Sequence, residues 1–325
     1  MTLKADDMVC EYKIIEQMGK GGFSNTYKAS APDGKLVILK FPDSTLLGDP
    51  ATYERFRRES AIGQKLDHPS IPRVIYLGDS PEGIFLVLDY VEGKTLRSYI
   101  SDKAPLNLDE AISIAEQLAD TLDYLHDHEV YHRDLKPENI IVGPDGKIHI
   151  IDFGSALLEG TRRVTWRFGS NAMGTPDYMS PEQIQGKRGD ARTDVYATGI
   201  ILYEMLTGTV PFRGDNPLAV MNQHLTASPT PPRKIRPSIP PGIEAIVLKS
   251  IRRNPDERYQ FASELKHDLE HYAKLDLSQF PHEPERSARG MLTSQDILVR
   301  SVIIFFSFLA LVAVIMLVAY LFHHS

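Results

Sequence analysis

Cysteine is nearly absent from this sequence. Cys10 is the only one in 325 residues, so no disulfide can form within the chain, which fits a reducing compartment. Positive charge is also short: 36 Lys and Arg against 43 Asp and Glu leave a net charge of −7. Without a basic stripe, nucleic acid is not expected as a partner. The opening residues, MTLKADDMVC, have no apolar core, so no secretory signal is expected there. No internal repeat is visible. What remains is ordinary for a folded protein, 42% hydrophobic and 24% charged, long enough for one large domain or two of medium size.

Long apolar runs are missing too, with one exception. From Ser301 to Phe322 the chain reads SVIIFFSFLALVAVIMLVAYLF, without a charge. As a helix this covers roughly 33 Å, enough for a hydrocarbon core of about 30 Å. A core helix keeps a polar side, and this run is apolar all round. It is therefore expected to be a transmembrane helix in contact with membrane lipid, and, with only His323, His324 and Ser325 after it, a tail anchor. Arg286, Arg289 and Arg300 precede it and no Lys or Arg follows. The positive-inside rule then leaves the preceding domain in the cytoplasm.

Ahead of that run the pattern changes once. EYKIIEQM, NTYKAS, KLVILKF and IFLVLDY read as strands, with turn signals GKGG and APDG between the first of them. A charged helix is expected over Thr52–Leu66. After Gly93 the period becomes helical. Asn107 and Glu110 have capping-box spacing, and Ala115, Leu118, Ala119, Leu122 and Leu125 line one face. Further helices are expected over Asp194–Thr207, Ile243–Ile251 and Phe261–His271. The expectation is an α+β architecture: a small β-rich lobe over about 12–90, a helical lobe over about 91–272, a polar linker 273–300 and the span 301–322.

Several short runs carry chemistry. Gly19-Lys20-Gly21-Gly22-Phe23-Ser24 lies between two predicted strands. Glycines there let backbone N–H groups approach phosphates, although a plain hairpin turn uses the same residues. Lys40 closes the apolar run VILK, and either Glu59 or Glu54 of the charged helix could pair with it. His132-Arg133-Asp134-Leu135-Lys136-Pro137-Glu138-Asn139 comes next, then Ile151-Asp152-Phe153-Gly154. Gly174-Thr-Pro-Asp-Tyr-Met-Ser-Pro-Glu182, Asp194-Val-Tyr-Ala-Thr-Gly199 and Arg258 complete the series.

In this order these runs resemble the eukaryotic-like (Hanks-type) serine/threonine protein kinases. The resemblance covers about Tyr12 to Tyr272, and wording such as YMSPEQ and RTDVYATGIILYEMLTG is similar to bacterial members. It implies a bilobal kinase fold, ATP and Mg²⁺ (or Mn²⁺) as cofactors, and protein substrates. Asp134 would orient the attacking hydroxyl and Lys136 would steady the γ-phosphate. Asn139 and Asp152 would hold the metal, and Lys40, positioned by Glu59, would grip the α- and β-phosphates. Nucleotide contacts would come from Met18, the loop Gly19–Ser24, Thr26, Ile38, Lys40, Leu88 as gatekeeper, Asp89, Val91 and Ile141. Asp194 would brace the catalytic loop, and Glu182 would pair with Arg258.

Lys136 and the platform residue Thr175 point to serine and threonine as acceptors. The chain departs from the family pattern at Ser24, Thr26 and Ile38, and the isoleucine should narrow the adenine slot. Arg133, next to Asp134, suits a phosphate on the activation segment, with Thr165 and Ser170 as candidates beside Thr161 and among Arg162, Arg163 and Arg167. A homodimer held in the membrane would let one copy phosphorylate the other. The rival readings are a membrane-tethered pseudokinase scaffold, which usually lacks the lysine or an aspartate, and a small-molecule kinase.

Overall fold

The structure is a computed structural model and describes residues 3–20, 24–43, 50–81, 83–154, 156–158 and 176–280. The expected span 301–322, most of the linker, Gly21 to Phe23, and Thr161, Thr165, Ser170 and Thr175 lie outside the described residues.

Alternation builds the first lobe. Strands β1 (Met8–Val9), β2 (Tyr12–Lys20), β3 (Ser24–Ser30) and β4 (Leu36–Pro42) form antiparallel neighbours. In β4, Val37, Leu39 and Phe41 join Ile14, Tyr27, Phe85 and Val87 in a core under the sheet. By the period of two, Ile38 and Lys40 turn to the opposite face. Helix α1 (Pro50–Lys65) follows, then β5 (Val74–Ser80) and β6 (Gly83–Asp89), which complete a six-stranded sheet in the order β1-β2-β3-β4-β6-β5. Phe56 of α1 packs with Val74 and Leu86, which seats the helix against the sheet.

The second lobe is helical, with β7 (Lys94–Thr95), α2 (Leu96–Lys103) and α3 (Leu108–Asp127) at its start. Ala115, Leu118, Ala119, Leu122 and Leu125 are all fully buried, as their spacing predicts. Each buried leucine is worth about 1.5–3 kcal/mol. Asn107 does cap α3, accepting the Asp109 N–H at 3.0 Å. The expected reciprocal bond from Glu110 does not form among the described contacts, because its carboxylate takes the Tyr99 hydroxyl instead.

Short strands β8 (Val130–Tyr131), β9 (Ile140–Val142), β10 (Ile148–Ile150) and β11 (Leu157–Leu158) carry the chain past the cleft, with β9 and β10 as a hairpin and β11 against β8. Helices α4 (Pro181–Ile184), α5 (Ala191–Thr207), α6 (Pro217–Thr226), α7 (Pro232–Ile235), α8 (Pro241–Ser250) and α9 (Ala262–Glu270) make the rest.

Helix α5 starts three residues earlier than its apolar pattern predicts, because Asp190 caps it by accepting the Arg192 N–H. Every residue from Thr193 to Thr207 is buried. Such a helix belongs at the centre of a lobe, and α3, α8 and α9 surround it in one continuous core. It ends at Gly208, whose φ of +77° is the left-handed conformation glycine adopts freely. Among the described residues no helix is long and apolar enough to cross a membrane.

Candidate active site

Lys40 stands on the β4 face away from the first lobe's core, opposite Thr26 of β3. Its Nζ donates to both carboxylate oxygens of Glu59 at 2.8 Å and to Asp152 Oδ1 at 2.7 Å. The choice between the two glutamates is therefore resolved. Glu59 points into the cleft with a side chain 3% exposed, whereas Glu54 lies on the solvent side near Arg57. Burial works against the charge on Lys40, but the Asp152 and Glu59 carboxylates outweigh it and hold the amine protonated above its usual range. Asp152 is held well below the usual carboxylate range: burial opposes this, and the Lys40 charge overcomes it.

The catalytic-type loop follows β8, and its backbone is held from below. Asp194, fully buried in the first turn of α5, accepts the His132 N–H at 2.9 Å and the Arg133 N–H at 2.8 Å, and pairs with His126 Nε2 at 2.9 Å. Burial would raise the Asp194 carboxyl, but the bonds from His126 and from the Arg133 N–H keep it below the usual range. Gln183 Nε2 holds the Arg133 carbonyl at 2.6 Å. Fixed on both sides, Arg133 keeps a φ of +63°, a strained conformation that only an over-determined backbone sustains. The His132 ring packs tilted against Phe153, with 5.2 Å between centroids. Its Nδ1 accepts the Asp134 N–H, which leaves Nε2 to carry the proton towards the Ile151 carbonyl.

Asp134, Lys136 and Asn139 then converge. Lys136 Nζ lies 2.8 Å from Asp134 Oδ2, and Asn139 Nδ2 donates to the Asp134 carbonyl at 2.8 Å. The Asp134 side chain keeps 24% exposure, enough to meet an incoming group. Burial opposes the Lys136 charge, but Asp134 raises its pKa. Asp152, with φ +69°, faces this group from the end of β10.

The other described candidates for nucleotide contact lie on β2, β3, β4, β6 and β9 and just after β6. Met18, Gly19 and Lys20 end β2, with Gly19 paired to Thr26. Ser24 opens β3, opposite Pro42. Ile38 lies directly across from Leu88 of β6. Asp89 and Val91 lead out of that strand, and Ile141 sits on β9 opposite Thr95. The Asp89 N–H donates to the Arg73 carbonyl at 3.0 Å, so any contact from Asp89 to a base must come through its carbonyl. Farther away, Arg258 and Glu182 form a buried two-point ion pair at 2.8 Å.

Sequence reasoning missed His126 and Gln183 as braces, and missed Arg97, Tyr178 and Glu204 altogether. Position 126 carried one signal, a histidine at the end of a helix just before the motif.

Residues 12–269 match the protein kinase domain family. The chain belongs to that family. This kinase domain is similar to bacterial serine/threonine kinases: 39% identical over 267 residues to PknB of Mycolicibacterium smegmatis, covering 79% of this chain and 42% of the relative. It is 34% identical over 262 residues to PrkC of Bacillus subtilis, covering 79% and 40%. It is 37% identical over 267 residues to PknB of Mycobacterium tuberculosis, covering 79% and 42%. The kinase chain thus spans about two-fifths of the length of the curated relatives it matches.

Proposed function

We propose that this chain transfers the γ-phosphate of ATP to serine and threonine hydroxyls of proteins. The observation that supports it most is the convergence of two constellations on one cleft: Lys40 clamped by Glu59 and Asp152, facing Asp134 with Lys136 and Asn139. Phosphoryl transfer needs positioning and charge neutralisation more than covalent help. Asp134 would accept or orient the hydroxyl proton, and Lys136, beside it, would meet the charge on the transferred group. Lys40 would hold the α- and β-phosphates. Ile38, Leu88 and Ile141 would enclose the adenine, with Asp89 and Val91 at its edge.

The donor set fits a hard divalent cation. Asp152 is kept ionised by Lys40, and the amide of Asn139, turned by its bond to the Asp134 carbonyl, presents its oxygen as the other donor. A divalent cation held by Asp152 and Asn139 would supply positive charge to offset that of the phosphate oxygens. A pseudokinase scaffold would dispense with one of these charges, and Lys40, Asp134 and Asp152 are all engaged.

In the cell, the same reading has the domain held by the span 301–322 and switched by its own phosphorylation. Support for the switch comes from Arg133, whose backbone is pinned on both sides. Phosphate on Thr165 or Ser170 would give that guanidinium, and Arg162, Arg163 and Arg167, a charge-assisted partner and dock the segment. Thr175 would serve as the acceptor platform. Two copies brought together in one membrane would phosphorylate each other.

The test is Asp134→Asn. Transfer from Mg-ATP to a generic acceptor protein should fall by about two orders of magnitude or more, while Mg-ATP still raises the melting temperature, since Asp134 meets the hydroxyl and not the nucleotide. Equal rates in variant and parent would overturn the assignment.

A further inference from the structure

Beside the phosphoryl-transfer groups lies a second charged cluster that the proposed chemistry leaves unused. At its centre is Arg97 of α2. Its Nε donates to Glu138 at 2.7 Å and its Nη1 to Glu204 at 2.7 Å. Nη2 donates to the Tyr178 hydroxyl, which in turn donates to the other oxygen of Glu204. One guanidinium thus joins α2, the loop after Lys136, the turn before α4, and α5.

Its position follows from its partners. Glu138 lies between Lys136 and Asn139, both bonded to Asp134. Tyr178 lines the same small hollow as Asp134 and Lys136. A polypeptide that offers a hydroxyl to Asp134 must therefore lay its neighbouring residues along this cluster. Around Arg97 the cluster holds two carboxylates, Glu138 and Glu204. Asp177 faces the same charges, its carboxyl raised first by burial and then by Glu204. Glu138 is 47% exposed and reachable from solvent, while Glu204 is 9% exposed at the back.

Two carboxylates set to take two edges of one planar fork are a receptor for arginine in particular, since an ammonium is a point charge and cannot span them. Here the receptor is already filled. We infer that Arg97 is an internal occupant of an arginine-binding subsite beside the acceptor hydroxyl, and that it sets specificity by excluding basic residues from the flanks of the substrate. The preferred acceptor is then flanked by neutral or acidic residues. Specificity of this kind works by leaving the wrong partner's charge without a counterpart. The inference rests on the kinase reading above.

The test uses the full chain in detergent and two acceptor peptides that differ only in having arginine or alanine around one serine. The parent should use the alanine peptide at least as well. Arg97→Ala should favour the arginine peptide by about tenfold in kcat/KM, the order expected for a charge-assisted pair. Adding Glu138→Gln to Arg97→Ala should abolish that gain. In calorimetry without ATP, N-ethylguanidinium should bind Arg97→Ala and not the parent, and it should compete with the arginine peptide. If Arg97→Ala does not fold, Arg97→Gln, which keeps a donor for Glu204, takes its place. A parent that prefers the arginine peptide, or a variant with neither the preference nor guanidinium binding, overturns the inference. A parent that phosphorylates neither peptide counts against the kinase reading instead, and guanidinium binding then still decides the subsite.

Discussion

His224 shows how far a single residue can be carried from its behaviour in water. It is fully buried, with Nδ1 2.7 Å from the Tyr196 hydroxyl and its ring against Phe212 at 4.6 Å. Burial pushes its pKa down to about 3, against a smaller upward pull from the Asp177 backbone. The sign follows from proton uptake. Below pH about 6.5 the unfolded chain binds a proton that the folded chain refuses until about pH 3. Stability from this residue is therefore complete above pH 6.5 and falls, by up to about 1.4 kcal/mol per pH unit, as the pH drops through that window. Urea unfolding at pH 7.5, 6.0 and 5.0 should show a shallower pH slope for His224→Gln than for the parent. Parallel slopes would mean that another group carries the effect. Residues inside HRDLKPEN were legible because their spacing alone fixes their company. Arg97 was not: it meets Glu204, 107 positions away, and Tyr178, 81 away, and no local pattern marks such a pairing. The sequence favoured Glu59 as the partner of Lys40 but kept Glu54 as a competitor on the same helix, and helix phase decides for Glu59.

At the scale of elements, the packing of α5 against α8 offers a sharp test. A Cβ added at Gly199 would lie 2.6 Å from Ser250 Cβ and 2.8 Å from Ile251 Cγ2, closer than side chains tolerate. Alanine would gain about 1 kcal/mol of helix propensity, but forcing the two helices apart costs roughly 1–3 kcal/mol. Gly199→Ala should thus lower the unfolding free energy or leave it no better. A clear gain in a urea titration would show that the helices have slack. The long helices were readable from their apolar period, and their ends shifted by up to three residues: Asp190 caps α5 early, and α8 opens at Pro241, where a proline suits the first helical position. Strands β7, β8 and β11 have two residues each and were not readable. Two residues have no period, and these strands exist because the long helices bring their partners alongside.

For the whole molecule, the run from Ser301 to Phe322 predicts that the kinase domain works without it. Deleting residues 301–325 should move the protein from the membrane fraction to the soluble fraction with its activity retained. Activity in a truncated protein that still sediments with membranes would show a second point of attachment. Helix α5 ties the catalytic-type loop and the Arg97 cluster to one rigid element. Asp194 and Glu204 leave the same rod ten residues apart, about 15 Å at 1.5 Å per residue. One supports the backbone beneath Asp134, and the other holds Arg97 at the flank of the groove. A movement of α5 carries both reference points together. The spacing between the loop of Asp134 and the Arg97 cluster is therefore set by the length of one helix and not by the cleft above it.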